Sequence, residues 1–471
     1  MRITNDRSGD EVYIFVMRAT SLILILGLLK FTLLASPILE SKPDDNYFSK
    51  FQPIKAPSSS GLFLKEGDCL AICGDSITEQ KMYSRLVEDY LTMCVPQLHI
   101  SVRQYGWSGE RASGFLSRMT NDCLRFHPTV ATTCYGMNDF EYRPYNERIG
   151  QIYYTNSMEI AEAFKADGVR VILGSPGCIS KMPPWVKSTD YTVEDLNLSL
   201  CNLRNIDLDI ANKEHVRFAD VFWPMLIGGY MGKQEYGPNY GIPGNEGVHP
   251  HWAGHLIMAY ALLKAMGLDG NIGTFTIDLN RNKIDVSPGH KVISATNGEF
   301  TIESYRYPFC PCEPDDQAAP SYPASGKDSL SSDNSIRSGM TLVPFNHELN
   351  RLMLVVKDLT TNNYQVNWGN ESRVFAAAQL AQGINLAEDF PNNPFNSAFA
   401  QVDAAVTAKQ GYETTEVKDL FRNTNHNSST EAIVAETDKV VEKAEEDHDA
   451  LAAEVRSAFV PVTHTITIAI H

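Results

Sequence analysis

The sequence predicts an α/β fold in which a flavodoxin-like parallel sheet is sandwiched by helices and is followed by a β-rich module with appended helices. Between residues 60 and 270, short apolar runs rich in β-branched residues alternate with amphipathic stretches. After residue 270, strand patterns succeed one another across Asn, Gly and Ser turns. Alternating strands and helices are typical of a parallel sheet covered on both faces. Because 471 residues exceed the usual size of a single core, we expect two domains, at 60–270 and 271–471.

The first domain is predicted to contain five short strands and four amphipathic helices. The strands are expected at 69–73, 99–104, 129–134, 170–174 and 216–221, and the helices at 82–93, 153–165, 195–211 and 251–266. Residues 223–245 are rich in Gly and are predicted to form a long loop. Its tyrosines, Tyr230, Tyr236 and Tyr240, could either line a substrate pocket or pack the loop against its own domain.

The second module is predicted to begin with strands and to continue with helices. The strands are expected at 274–279, 283–286, 300–305, 352–357, 364–368 and 463–470, and the helices at 376–386, 395–409 and 430–459. The segment 318–339, dense in Ser, Pro, Gly and Asp, is predicted to be a long loop or a disordered insert. Substrate binding, packing over the cleft and dimerisation all stay open as roles for this module.

Charge and the amino terminus bear on partners and location. A formal net charge of -17 opposes binding to a phosphate backbone, so no nucleic-acid partner is expected. Residues 1–40 are predicted to be a signal peptide and leader with translation starting at Met17, because Arg18, the apolar stretch 22–34 and the small residues at 35–36 follow in the order of a secretory signal. The apolar stretch is shorter than the roughly 20 residues that span a bilayer, so we expect export rather than a stable membrane span.

Three polar side chains follow predicted strands or precede the last helix of the first domain. Ser76 comes directly after the first strand, Asn138 follows the third, and His249 precedes the final helix. The carboxyl ends of parallel strands share one edge of a sheet, which is the usual crevice of open α/β folds. A hydroxyl nucleophile, an imidazole base and an amide donor at one edge are what acyl transfer from an ester requires.

These segments resemble the four signature blocks of the SGNH hydrolases, also called the GDSL esterases and lipases, over residues 66–267. The matching blocks are Gly74-Asp75-Ser76, Gly106-Trp107-Ser108-Gly109, Gly136-Met137-Asn138-Asp139 and Val248-His249-Pro250. The resemblance implies a nucleophile at Ser76 and a base at His249. It also implies an oxyanion hole made by the backbone N–H groups of Ser76 and Gly109 and the side-chain amide of Asn138.

One position departs from the family pattern. The family usually has Asp three residues before the catalytic His, whereas this sequence has Glu246 there. A glutamate can still orient the imidazole, because the triad is defined by roles. Glu246 is favoured as the orienting acid, with Asp220, at the end of the fifth strand, as the alternative.

The sequence therefore predicts an exported, secreted or periplasmic serine esterase that cleaves short acyl esters, with acetylated polysaccharides as one candidate substrate. Two alternatives stay open: a non-catalytic carbohydrate-binding or scaffold protein on the same fold, and an acyltransferase that uses the same acyl-enzyme. The Cys and His residues show no zinc spacing, so neither a metal nor another cofactor is expected. Disulfide pairing and oligomeric state are not determined by the sequence.

Overall fold

Five parallel strands form the sheet of the first domain, in the order β2-β1-β3-β4-β5. Their bounds are Cys69–Gly74 (β1), Ser101–Gln104 (β2), Val130–Cys134 (β3), Arg170–Gly174 (β4) and Arg217–Ala219 (β5). The central strand β3 is buried along its whole length, as expected for a parallel strand covered on both faces. From β1 the chain first adds β2 on one side and then returns to add β3 on the other. The strand order thus reverses at β1, which leaves a crevice at the carboxyl ends of β1 and β3.

The computed structural model describes residues 37–311, 335–421 and 431–471. Residues 40–471 belong to one compact unit. The predicted signal peptide lies outside the described residues except for its last four positions, and so does most of the predicted loop at 318–339. The end of that segment is helical from Ile336 onward, so the loop prediction is wrong there. The boundary at residue 270 stays a prediction.

Helices cover the parallel sheet, which confirms the predicted fold class. The helices of this domain are Ser76–Glu79, Tyr83–Asp89, Ala112–Asp122, Glu147–Ala166, Val193–Glu214, Phe222–Tyr236 and Trp252–Ala265. The prediction of a loop is therefore wrong for residues 223–236. Gly residues lower the intrinsic helix propensity of that stretch, but burial of Trp223, Met225 and Leu226 against the domain stabilises the helix.

The second half of the chain contains two further sheets, as predicted. A mixed sheet has the order β13-β10-β6-β7, and an antiparallel sheet has the order β12-β11-β14-β9-β8. The strands are Asn271–Asp278 (β6), Lys283–Val286 (β7), His290–Thr296 (β8), Glu299–Ser304 (β9), Arg351–Lys357 (β10), Asn363–Trp368 (β11), Glu371–Ala376 (β12), Ile384–Asn385 (β13) and Val462–Ile470 (β14). Sequence reasoning missed β8 and β12. Both are edge strands with mostly exposed side chains, so they lack the apolar alternation that marks a half-buried strand.

The helices of this half are Ile336–Leu342, Phe345–Glu348, Ala377–Gln382, Leu386–Asp389, Asn396–Thr415 and Glu431–Ala458. The prediction of one helix over 376–386 is wrong at its end, where the chain instead forms the short strand β13. A π-helical segment, Glu416–Phe421, directly follows Asn396–Thr415. These two helical segments lie against the parallel-sheet domain, next to β2 and to the helices Tyr83–Asp89 and Ala112–Asp122.

Candidate active site

Ser76 begins a four-residue helix directly after β1. The Asp75 carboxylate caps this helix by accepting the Ile77 backbone N–H at 2.9 Å. Gly74 permits the sharp turn, because a Cβ there would lie 2.1 Å from the Thr78 Oγ1 atom. Ser76 is 7% exposed, so it lies largely buried at the carboxyl end of β1 rather than on an open surface. Burial raises the pKa of Asp75 to about 7, although its bond to Ile77 and the nearby His249 lower it.

The structure brings Ser76, His249 and Glu246 together in one hydrogen-bonded line. The His249 Nε2 atom lies 2.9 Å from the Ser76 Oγ atom, and the His249 Nδ1 atom lies 2.6 Å from Glu246 Oε1. Burial disfavours the charged form of Glu246, but hydrogen bonds from the ring and the backbone N–H of His249 outweigh it and lower the pKa of Glu246 to about 2. The carboxylate is thus ionised where an imidazolium would form. This is the geometry of a serine, histidine and acid triad.

The loop that carries Glu246 and His249 is held by backbone hydrogen bonds. The Gly244 N–H donates to the His249 carbonyl at 2.6 Å, and the Ser180 N–H donates to the Gly247 carbonyl at 3.0 Å. The His249 N–H also donates to Glu246 Oε1 at 2.6 Å. The extra methylene of glutamate is therefore accommodated within a tight loop, with the carboxylate folded back over three residues.

Asp220, the alternative orienting acid, is engaged elsewhere. Its carboxylate forms a bidentate pair with Arg204, at 3.2 Å from Nε and 2.5 Å from Nη2, and it accepts the Trp223 backbone N–H at 3.2 Å. Arg204 is fully buried, so its charge requires this partner. The geometry therefore favours Glu246 over Asp220 beside the imidazole.

The predicted oxyanion donors lie on loops around Ser76. Gly109 has a φ of +73°, a conformation that glycine adopts without strain, in a turn closed by a bond from the Glu110 N–H to the Trp107 carbonyl at 3.1 Å. The Asn138 Nδ2 atom donates to the Glu110 carbonyl at 3.0 Å and lies 3.4 Å from Asp75 Oδ2. The second contact is long for a hydrogen bond, so Asp75 holds the amide hydrogen on that side only weakly.

Sequence reasoning missed Trp185, a large aromatic residue beside the base. Its indole is 44% exposed, with its ring centroid 6.5 Å from that of His249 and 5.5 Å from that of Tyr142. Pro183 and Pro184 precede Trp185 in a loop after β4. A tryptophan in a proline-containing loop after a strand was the sequence signal that could have identified it as a site residue. The tyrosines singled out from the sequence lie elsewhere: Tyr236 and Tyr240 stack on each other at 5.1 Å, and Tyr230 packs on Phe48.

The described ranges, 37–311, 335–421 and 431–471, bear on metal binding and on membrane insertion. They contain no group of three or more His, Cys, Asp or Glu side chains placed to hold a metal ion. No helix in the described part of the chain is long and apolar enough to cross a membrane. Eight cysteines lie in these ranges, and all eight are free thiols.

Comparison with known proteins defines the class to which this site belongs. The family model of the GDSL-like lipase/acylhydrolase family matches residues 72–257, which include Ser76, Gly109, Asn138, Glu246 and His249. Residues 72–257 are therefore a domain of the GDSL-like lipase/acylhydrolase family, and the chain is an esterase. No curated protein matches the sequence.

Solved structures share the fold over different lengths. A gut microbial diltiazem-metabolizing enzyme is 21% identical, with a match that covers 88% of this chain and 100% of that one at a TM-score of 0.67. A catalytic mutant of an acetylxylan esterase from Geobacillus stearothermophilus is 20% identical over 44% of this chain and 97% of its own, at a TM-score of 0.36. An alpha/beta hydrolase from the metagenome of Lake Arreo, Spain, gives 20% identity, 44% and 98% coverage and a TM-score of 0.36. The first of these likenesses extends the shared fold into the second half of the chain.

Proposed function

We propose that this esterase cleaves short acyl esters, with acetyl esters of carbohydrates as its main substrate class, through an acyl-enzyme on Ser76. The observation that carries the proposal is the unbroken line of contacts from the Ser76 hydroxyl through His249 to Glu246. A serine hydroxyl is a weak nucleophile at neutral pH and needs an adjacent base within hydrogen-bond reach. The 2.9 Å contact meets that requirement.

The reaction proceeds in two steps. His249 Nε2 accepts the Ser76 proton as Oγ attacks the ester carbonyl carbon, and Glu246 stabilises the resulting imidazolium through Nδ1–H. Backbone N–H groups of Ser76 and Gly109 and the Asn138 amide stabilise the oxyanion. His249 then protonates the leaving alcohol, and a water molecule activated by the same base releases the acid and restores Ser76.

The exposed indole of Trp185 supports a carbohydrate leaving group. It presents a rigid apolar face next to the base, where the alcohol portion of the ester leaves. The sequence has no long apolar segment near the site that would cover an acyl chain, which favours acetyl over long acyl groups.

The test is a substrate panel measured with the wild type and with Ser76→Ala. We expect p-nitrophenyl acetate and acetylated xylo-oligosaccharides to be hydrolysed and a long-chain p-nitrophenyl ester to be poor, with all turnover lost in Ser76→Ala. Ser117→Ala, which changes an exposed helical serine, is the matched control and should keep full activity. Equal turnover by wild type and Ser76→Ala would contradict the acyl-enzyme. Transfer of the acetyl group to an added alcohol in preference to water would instead identify an acyltransferase.

A separate experiment, the effect of Trp185→Ala on two substrates, tests the role of Trp185. Trp185→Ala should raise KM for acetylated xylo-oligosaccharides while leaving kcat/KM for ethyl acetate nearly unchanged, because the small ethanol leaving group, unlike a sugar, does not extend over the indole. Ile293→Ala, which removes an exposed apolar side chain from β8, serves as the control. An equal effect of Trp185→Ala on both substrates would argue against a carbohydrate subsite.

Export is part of the proposal and rests on the pattern of residues 17–36. Expression of the full-length chain in a secreting host, followed by amino-terminal sequencing, tests it. We expect the mature protein to appear outside the cytoplasm with its first residue after Ala35. Retention of an intact amino terminus in the cytoplasm would contradict export.

A further inference from the structure

The helical part of the C-terminal module reaches the loop that carries the predicted oxyanion glycine. Glu79, the last residue of the helix that begins at Ser76, links the two. Its Oε1 atom lies 2.5 Å from the Lys418 Nζ atom, and its Oε2 atom accepts the backbone N–H of Ser108. The carboxylate thus joins the nucleophile helix, the Gly106–Gly109 loop and the segment Glu416–Phe421 at one point.

Two further links tie the same loop to the C-terminal helical segments, one direct and one through the Gln104 side chain. The Lys418 Nζ atom lies 5.5 Å from the centroid of the Trp107 ring, which is cation–π range. The Gly106 N–H donates to the Gln104 side chain at 2.9 Å, and that side chain donates to Thr414 Oγ1 at 2.8 Å. The loop is therefore supported from residues more than 300 positions away along the chain.

The loop has little room to shift without affecting Ser76. A Cβ at Gly106 would lie 2.2 Å from the Glu79 backbone nitrogen, so the loop backbone touches the nucleophile helix directly. The Trp107 N–H donates to the Gly74 carbonyl at 3.1 Å, at the end of β1. The direction of the Gly109 N–H depends on the turn from Trp107 to Glu110. Glu79 holds this turn by accepting a hydrogen bond from the backbone N–H of Ser108.

We propose that Lys418 is a positioning residue for the oxyanion hole: by pairing with Glu79 it holds the Gly106–Gly109 loop so that the Gly109 N–H faces the carbonyl oxygen of an ester attacked by Ser76. This proposal rests on the proposed function. It gives the helical C-terminal segment a role in the chemistry of the first domain. Preorganised donors stabilise a transition state more than the ground state, so losing their support lowers kcat rather than raising KM.

The first test compares Lys418→Met, Lys418→Arg and Lys443→Met with the wild type on p-nitrophenyl acetate. Lys443 is exposed and pairs with Asp447 at 2.6 Å on the helix Glu431–Ala458, so Lys443→Met loses an ion pair without touching the loop. We expect Lys418→Met to lower kcat by about tenfold to a hundredfold at unchanged KM, less than the effect of deleting one oxyanion donor. Lys418→Arg should recover most of kcat, and Lys443→Met should match the wild type. An unchanged kcat in Lys418→Met beside an active wild type would overturn the proposal.

A second test does not depend on turnover. Hydrogen exchange of peptides covering residues 104–112 should be faster in Lys418→Met and in Glu79→Gln than in the wild type and Lys443→Met. If both variants exchange like the wild type, the positioning role is wrong, whatever the substrate of the enzyme. If wild type and Ser76→Ala hydrolyse the ester equally while the loop exchange still responds to Lys418, the proposed function fails and the structural link stands. The unfolding transitions of all variants, followed by circular dichroism, distinguish a local loosening from global destabilisation.

Discussion

Two of the buried polar clusters among the described residues can be compared directly, and of these two only the first has the form of a reactive site. The first is the Ser76, His249 and Glu246 line at the carboxyl end of the parallel sheet. The second, which we call the Lys409 cluster, consists of Lys409, Glu88, Glu413 and His448 between the helix Asn396–Thr415 and the first domain. Lys409 is only 2% exposed, and Glu413 and Glu88 are as deeply buried.

The hydrogen bonding of the two clusters differs. In the Lys409 cluster, the ammonium contacts Glu413 Oε1 at 2.5 Å, Glu88 Oε1 at 3.0 Å and the Val102 carbonyl at 2.7 Å, so its three donors have three acceptors. In the active site, the Ser76 hydroxyl is the last group in the line of contacts that runs from Glu246 through His249. The Lys409 ammonium is fully satisfied and stabilises one packing arrangement, whereas a hydroxyl paired with a base can attack a substrate.

Perturbed ionisation occurs in both clusters and does not by itself identify the site. Burial raises the pKa of Glu88 to about 7, against the opposing effect of Lys409. Glu413 is buried too, but Lys409 and His448 lower its pKa, so it is the charged partner of the ammonium. Glu246 also stays charged, because hydrogen bonds from His249 lower its pKa. Unlike the partners of Glu413, His249 also contacts a hydroxyl, that of Ser76. The neighbour of the perturbed group, rather than the perturbed pKa itself, therefore marks a reactive site.

The largest expected effect is the loss of activity when the base, His249, is removed. His249→Ala should lower kcat on p-nitrophenyl acetate by about 10⁶-fold, as loss of the base does in other triads. The free energy of unfolding in urea should fall only modestly, because the backbone N–H of residue 249 still donates to the half-buried Glu246 carboxylate. If His249→Ala keeps even a tenth of wild-type turnover, the base lies elsewhere.

The next largest effect distinguishes the two candidate orienting acids, Glu246 and Asp220. Glu246→Ala should lower kcat by about 10⁴-fold, less than His249→Ala, because the imidazole remains but loses its orientation. Asp220→Ala should leave kcat near the wild-type value while lowering the free energy of unfolding, since buried Arg204 would lose its bidentate partner. The reverse pattern, with activity lost in Asp220→Ala and kept in Glu246→Ala, would exchange their roles.

A third effect concerns the Lys409 cluster itself. Lys409→Met should lower the free energy of unfolding by about 3–5 kcal/mol, because removing one partner leaves buried carboxylates uncompensated. Folded protein at low temperature should keep a kcat within a few-fold of the wild type. Urea denaturation and steady-state kinetics on the same sample measure both. A large loss of kcat at unchanged stability would mean that the cluster serves the chemistry.

The smallest expected effect is a change in pH dependence beside the Lys409 cluster. Burial raises the pKa of Glu416 to about 8, although Arg103 lowers it. The folded state therefore holds this proton between about pH 4.5 and 8 while the unfolded state releases it, so stability falls as pH rises through that window. Glu416→Gln, which resembles the protonated form, should lose less stability than the wild type between pH 6 and 9. Equal slopes of Tm against pH in the two proteins would refute a buried neutral Glu416.

Much of the fold and of the site geometry could be predicted because the relevant signals are local. A strand followed by Gly-Asp-Ser and a helix encodes a turn that presents Ser76, and the three-residue spacing of Glu246 and His249 lets a loop join them. The helix Phe222–Tyr236 was missed because its glycines disfavour a helix that tertiary packing stabilises. The edge strands β8 and β12 were missed because they bury little.

By itself the sequence determined the α/β order and the succession of strand-end motifs, since each depends on neighbours within a few positions, and the resemblance of those motifs to a known family indicated which residues meet at Ser76. Only the tertiary structure decided that Asp220 pairs with Arg204. It also placed Trp185 beside His249 and Lys418 in contact with Glu79. Such contacts join residues that are distant along the chain. Their geometry follows from how the sheets and helices pack, which no local pattern records.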